Sequence, residues 1–240
     1  MIYIQSNKEK TLPHHFDVAC AMYGAIERGL DYRLTSFEEV QEGKFDSLIR
    51  TRLFVGSVEF MGEVFSRVGK SPRVPLNSDR VSEKMYLGQA IERIMEGEEL
   101  FIKPKQIKLF TGCVFDKMFI STLHPYPEDT EVLVYIPFKY PILSEWRLYV
   151  QDGKVLDAKN YAGDFRVNPD WGLMEARLKN FKDFPVAYTA DVAILEDPVG
   201  DHHNEIVEFN DMWAIGNYGI ENHLYLRLLR ERYFQIMRGY

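Results

Sequence analysis

Three oxygen-bearing side chains stand in stretches that otherwise read as buried strand. Asp191 interrupts Ala187–Leu195, whose remaining members are almost all apolar. Glu208 and Asn210 lie two apart in Ile206-Val207-Glu208-Phe209-Asn210, a spacing that turns both side chains to one side of a strand. A buried carboxylate is costly unless it is paired or bound to a cation. Ionised carboxylates are acceptors only, and with an amide oxygen they make a hard donor set of the kind Mg²⁺ takes. The same pattern suits Asp191 and Glu208 paired with lysine or arginine on a wetted sheet face, and spacing alone leaves both open.

A second set is cationic. Lys103 closes the run Leu100-Phe101-Ile102 just before Pro104, and Lys105 and Lys108 follow at once. Arg147 falls inside Ser144-Glu145-Trp146-Arg147-Leu148-Tyr149, on a strand rather than in a loop. Lysine contacts phosphate as a point charge, whereas arginine binds phosphate or carboxylate oxygens as a planar fork. Each of these cations, taken singly, also reads as half of a surface ion pair. No H-E-x-x-H, G-x-S-x-G or G-x-x-x-x-G-K-[ST] run is present, so zinc protease, serine hydrolase and P-loop chemistry have no support. His14-His15 and His202-His203 are adjacent pairs, and neighbours on a strand point to opposite faces, which makes neither a ligand set. Trp146 and Trp171 read as packing aromatics.

The elements that must position these groups fall into two textures. Met1–Gln5, Asp31–Leu34 and Leu53–Gly56 read as strands. Between the first two, the spacing predicts a helix over Leu12–Arg28 with Phe16, Ala19, Met22, Tyr23 and Ile26 as its apolar stripe. Ser36 and Glu39 make a capping box over a short helix, and Ser57 caps another carrying Val58, Met61, Phe65 and Val68. Strand–helix alternation implies right-handed crossovers and a parallel sheet, without the G-x-G-x-x-G of a dinucleotide site. Pro72 and Pro75 mark the exit, giving a small α/β unit over residues 1–75 and a larger, mainly antiparallel α+β unit over 76–240. In the latter, Ser82–Gly97 reads as helix, Leu100–Lys103 and Glu131–Tyr135 as strands, and Thr111-Gly112 as a hairpin. Leu143–Val150 and Val155–Tyr161 join around Asp152-Gly153. Asn168–Phe181 reads as a helix with Pro169 in its first turn. Pro185–Leu195 and Glu205–Asn210 follow as strands, and Tyr225, Leu229, Tyr233 and Ile236 define a closing helix.

The 240 residues carry 29 Lys+Arg against 36 Asp+Glu, a net charge of −7 that argues against bulk nucleic acid as partner. The longest strongly apolar run, Val132–Phe138, is far short of the roughly 20 residues of a membrane span. No basic leader opens the chain, and Cys20 and Cys113 form no metal or redox spacing; a cytoplasmic protein with two thiols is the expectation.

The order Phe101-Ile102-Lys103-Pro104, a Thr111-Gly112 hairpin, Val132–Phe138, Glu145-Trp146-Arg147, Asp191 and Glu208-x-Asn210 resembles the ATP-grasp superfamily. More narrowly it is similar to the phage and bacterial clade named for two arginines and one lysine. That resemblance covers Leu53 to about Tyr218, with Val55-Gly56-Ser57-Val58 in the preceding α/β unit. It implies two α+β subdomains that grip ATP, preceded by a small Rossmann-like unit. It also implies that Lys103, with Lys105, contacts nucleotide phosphate, and that the backbone of Leu133, Val134, Tyr135, Ile136 and Phe138 pairs with adenine. Glu145 joins the nucleotide contacts, and Arg147 faces the transferred phosphoryl. Asp191, Glu208 and Asn210 ligate Mg²⁺. Arg166, in Asp164-Phe165-Arg166, is the choice for the second arginine, with a surface arginine as the other reading. The segment Lys105–Cys113 departs from the pattern, holding one glycine, Gly112, where the family carries a glycine-rich phosphate loop.

The activity implied is an ATP-dependent ligase joining a carboxylate to an amine or similar nucleophile through an acyl phosphate, releasing ADP and phosphate. The carboxylate donor and amine acceptor are not legible. Two rivals stand beside it: a nucleotide-binding scaffold without turnover, and a phosphotransferase using the same grip on ATP.

Overall fold

The structure is a computed structural model that describes residues 1–72, 82–106, 109–181 and 184–239. Its contacts divide the chain into two compact units, Met1–Asn77 with Ile142–Tyr240, and Ser78–Pro141. The boundary expected near residue 75, and Lys108 among the expected cations, lie outside the described residues.

The first unit opens with β1 (Ile2–Gln5), α1 (Phe16–Glu27), β2 (Tyr32–Thr35), α2 (Phe37–Gln41), α3 (Asp46–Ile49), β3 (Leu53–Val55) and α4 (Val58–Ser66). The strands form a parallel sheet in the order β2-β1-β3, as the alternation predicts. The Ser36/Glu39 capping box and the Ser57 cap both form. The expected stripe on α1 is reversed. Phe16, Tyr23 and Ile26 are exposed, while Val18, Cys20, Ala21, Gly24 and Ala25 are buried. The cause is a close helix crossing: a Cβ on Gly24 would stand 2.3 Å from the Asn222 carbonyl oxygen, so only small residues fit that face.

The same unit continues with β8 (Ile142–Gln151), β9 (Lys154–Gly163), α6 (Trp171–Leu178), β10 (Ala187–Glu196), β11 (His202–Asp211) and α7 (Asn222–Arg238). The antiparallel sheet runs β11-β10-β8-β9. Asp152 and Gly153, with φ of 50° and 73°, form the tight turn that the D-G pair predicts. One face of the sheet packs Leu148, Val150, Tyr188, Ala190, Val192, Ile194, Ile206 and Phe209 against Met174 and Leu178 of α6. That helix starts later than expected: Asp170 is its N-cap, accepting from the Leu173 N–H, so Pro169 precedes the helix. On α7, Tyr225, Leu229, Tyr233 and Ile236 are all buried, in the core shared with β1, β3 and α4.

The second unit holds β4 (Glu83–Tyr86), α5 (Leu87–Glu96), β5 (Leu100–Pro104), β6 (Cys113–Phe115) and β7 (Glu131–Tyr135). Its sheet runs β4-β7-β5-β6. The helix expected over Ser82–Gly97 is a strand followed by a shorter helix, because Met85 is drawn into antiparallel pairing with Val132. Leu87, Ala90 and Ile94 of α5 pack on Leu100, Ile102, Val132 and Val134. No helix among the described residues is long and apolar enough to cross a membrane.

Candidate functional site

The strand register in the first unit places one row of charged residues across four strands. Glu208 on β11 opposes Asp191 on β10, which opposes Arg147 on β8, which opposes Lys159 on β9. Alternation puts Glu145 on the same face, two residues before Arg147. A bulge at Val207 sets this up. Asp191 pairs with Glu208 but Val192 pairs with Ile206, so Ile206 and Phe209, three apart, both reach the core while Glu208 and Asn210 keep the opposite face. A second bulge, between Glu145 and Trp146, leaves Tyr161 as the extra residue on β9.

Arg147 binds Asp191 as a fork, Nε to Oδ1 at 2.8 Å and Nη2 to Oδ2 at 2.7 Å. The two side chains are only 7% and 5% exposed. Burial works against the arginine's charge, but Asp191 outweighs it and holds the guanidinium pKa above its usual value. The Asn210 amide donates to Glu208 Oε1 at 3.0 Å and approaches Asp191 Oδ2 at 3.5 Å. Burial first, then the charges of Asp191 and Glu208, push the Glu145 carboxyl up, against a hydrogen bond from Tyr161 that lowers it. Burial and the neighbouring carboxylates also raise the Tyr161 phenol. Opposite the fork, the Tyr218 ring covers the Arg147 guanidinium at 4.4 Å, a cation–π contact, and meets Tyr161 at 5.5 Å. Tyr218 holds that place with a left-handed backbone, φ 46°. Its loop is pinned from three sides: Tyr149 donates to the Gly216 and Asn217 carbonyls, Tyr225 to Ile215, and Asp17 accepts from the Asn217 N–H at 2.7 Å.

The donor chemistry of Glu208, Asn210 and Asp191 fits a hard cation in type: two carboxylates and an amide oxygen, with Glu145 registering the excess negative charge nearby. Both Asp191 oxygens already accept from Arg147, and among the described residues no three His, Cys, Asp or Glu surround one metal position.

In the second unit, Lys103 opposes Leu133, and Phe101 opposes Tyr135, so these four share the face turned away from the buried Ile102 and Val134. Lys84 opposes Leu133 from the other side, which sets two lysines astride one leucine. Gly112 packs over this face, since a Cβ there would meet Phe101 at 3.1 Å and the Lys103 Cβ at 3.4 Å. Lys105 is exposed and pairs with Glu131 at 2.6 Å. Leu133 and Val134 lie on an inner strand with neighbours on both sides, so their backbone is committed to the ladder; Ile136 and Phe138 follow its last paired residue.

Over residues 81–228 the chain matches the model of an ATP-grasp domain family, the second family of the clade named for two arginines and one lysine. It belongs to that family. Its fold is the ATP-grasp fold. Among solved structures it is similar to a RimK-domain ATP-grasp protein from Sphaerobacter thermophilus, 10% identical, covering 99% of this chain and 98% of that one with a TM-score of 0.54. It is also similar to N5-carboxyaminoimidazole synthetase from Staphylococcus aureus complexed with ADP, 10% identical over 96% and 76% of the chains, TM-score 0.52. A third is the ATP-grasp ligase PsnB complexed with minimal precursor, Mg and ADP, 11% identical over 96% of each chain, TM-score 0.50. At these identities the likeness is one of fold. A comparison with curated proteins finds no match.

Within this ATP-grasp chain, Asp191, Glu208, Asn210, Arg147 and Glu145 come together on one sheet face. Arg166 has the surface setting that was its other reading: its side chain is 77% exposed and forks onto Asp164 at 2.6 Å. His202 and His203 open β11, each beside an acidic neighbour, and Trp146 packs on Trp171 as a packing aromatic should. Sequence reasoning missed Tyr161 and Tyr218, which reach the cluster through a bulge and a strained loop that leave no local pattern. It missed Lys84 because a single helix was read across Ser82–Gly97.

Proposed function

We propose that the chain is an Mg²⁺-dependent ATP ligase that joins a carboxylate to an amine through an acyl phosphate, releasing ADP and phosphate. The reading is supported by family membership and carried by one observation, the row Glu208–Asp191–Arg147 with Asn210 and Glu145 beside it. A carboxylate is a poor acyl donor until it bears a good leaving group. Transfer of the γ-phosphoryl from ATP to a substrate carboxylate oxygen gives the acyl phosphate and ADP. Attack by the amine nitrogen on the acyl carbon then expels phosphate, and the nitrogen's proton leaves to solvent or a nearby base.

Such chemistry asks the protein for positioning and charge stabilisation rather than a covalent nucleophile. Arg147, oriented by Asp191 and Tyr218, would hold oxygens of the transferred phosphoryl through its outer edge. Lys103 would contact a nucleotide phosphate, with Lys84 and Lys105 as neighbouring charges. The segment Leu133–Phe138, chiefly the residues after the ladder, would meet adenine, and Glu145 would join the nucleotide contacts. Glu208 and Asn210, with Asp191, would hold Mg²⁺, whose bound charge offsets that of the triphosphate. Arg166 would enter only by leaving Asp164. In this reading residues 1–75 form the unit preceding the ATP-grasp domain.

A second reading, nucleotide binding without turnover, draws on the fork by which Arg147 occupies both Asp191 oxygens. One experiment separates them. The protein is incubated with Mg·ATP and pooled carboxylates and amines, following ADP and new masses. The ligase yields ADP and an amide, and Glu208→Ala lowers the rate by about 10²-fold or more. Undiminished turnover in Glu208→Ala would remove the metal assignment. A phosphorylated acceptor would indicate a phosphotransferase, and thermal stabilisation by Mg·ATP without ADP a binding module.

A further inference from the structure

A cavity of about 410 Å³ lies in the first unit beside α7, sharing no residue with the Arg147 cluster. Leu30, Leu224 and Leu226 line it, and so do Arg28, Arg227 and Arg230, all three of them exposed to water. Arg227 and Arg230 are three apart on α7 and lie on one helix face. None of the three has a side-chain hydrogen bond or ion pair among the described residues. Elsewhere in the chain Arg67, Arg93, Arg147, Arg166 and Arg232 hold carboxylates. The local carboxylates are drawn instead to His223, which meets Glu27 at 3.7 Å and Glu221 at 3.4 Å. The α7 N-terminus has no side-chain cap, so its positive end adds to the field there.

Three like charges around one pocket repel one another, and an anion seated among them relieves all three at once. Arginine forks match carboxylate and phosphate oxygens, and the leucine wall rewards an apolar body attached to them. The volume is that of a small-molecule site. We propose that this cavity binds a small amphipathic anion, a carboxylate or phosphate monoester carrying an apolar chain or ring. The proposal stands independently of the ligase reading.

The test is calorimetric titration of the 240-residue protein with octanoate, octyl phosphate, octanamide and inorganic phosphate, without ATP. Saturable binding of octanoate or octyl phosphate is expected, the tighter of the two identifying the preferred head group. Octanamide and inorganic phosphate, each lacking one half of the ligand, should bind at least about tenfold more weakly. The double variant Arg227→Gln/Arg230→Gln should lose about tenfold or more in affinity at an unchanged melting temperature. Phe16→Ala, on the exposed apolar side of α1, should bind as the parent does. No saturable binding of either amphiphile would overturn the proposal. So would binding that survives the arginine substitutions, that is lost in Phe16→Ala instead, or that inorganic phosphate matches.

Discussion

The first unit contains two buried arginine–aspartate forks of nearly the same geometry. Arg147 holds Asp191 at 2.8 and 2.7 Å, and Arg232 holds Asp211 at 2.6 and 2.7 Å. Exposure does not separate them either, at 7% and 5% for the first pair and 7% and 1% for the second. Their surroundings do. Arg232 turns its third nitrogen, Nη1, to Gln235 at 2.8 Å, and Gln235 in turn accepts the Val186 N–H. Around Arg147 the polar groups exceed what the pair can satisfy: Glu208, Asn210, Glu145 and Tyr161 crowd the same face, and Tyr218 covers the guanidinium. A buried ion pair is therefore no mark of a site by itself. What sets the Arg147 pair apart is the further charge gathered beside it.

The largest effect expected from this contrast is on stability. Arg232→Met strands Asp211 without its partner and should cost about 3–5 kcal/mol, since breaking a buried pair leaves a desolvated charge. ATP turnover per folded molecule should stay at the parental level, whereas Arg147→Met should lose turnover beyond its loss of folded protein. Thermal melts paired with ADP release on the folded fraction measure both. Equal loss of specific turnover in the two variants would erase the distinction drawn between the pairs.

Gly24→Ala gives an intermediate effect and a control. The new Cβ meets the Asn222 backbone, so α1 and α7 must move apart, at about 1–3 kcal/mol. The substitution touches neither fork, so a fall in melting temperature with specific turnover intact would show that general destabilisation does not mimic loss of Arg147. A melting temperature unchanged by the substitution would contradict the close crossing.

Much of this was legible before any coordinates. Pairs and turns with local signatures formed where expected: the Ser36/Glu39 box, the Asp152-Gly153 hairpin, the strands carrying Arg147, Asp191 and Glu208. What failed had a long-range cause. The α1 stripe reversed because a neighbouring helix demanded small residues, a tertiary requirement that periodicity does not encode. Ser82–Tyr86 became strand because β7 offered it a partner. Candidate site residues were readable as charge placed out of character on apolar strands. Their partnership was not, since Arg147 and Asp191 stand 44 positions apart and meet only through register. Tyr218 was invisible because a tyrosine on a loop carries no sign of the left-handed backbone that aims it.

The smallest effect tests the surplus itself. Burial and the charges of Asp191 and Glu208 raise the Glu145 carboxyl above its ordinary value. Below the ordinary glutamate range both folded and unfolded chains hold the proton, and the shift has no effect. As pH rises from there through the raised folded value, the unfolded chain releases its proton first, so stability falls across that window and the loss persists above it. Glu145→Gln removes a group that resists ionising in place. Because Glu145 keeps part of its surface in water, the gain at pH 7 is held to about 1 kcal/mol, or 2–4 °C in melting temperature. That gain should close as the pH is taken down through the window. Melts of both proteins without nucleotide or metal, across that range, measure it. Coincident curves would mean that the carboxylates around Arg147 are no more crowded than those around Arg232, and the contrast between the two forks would rest on Tyr218 alone.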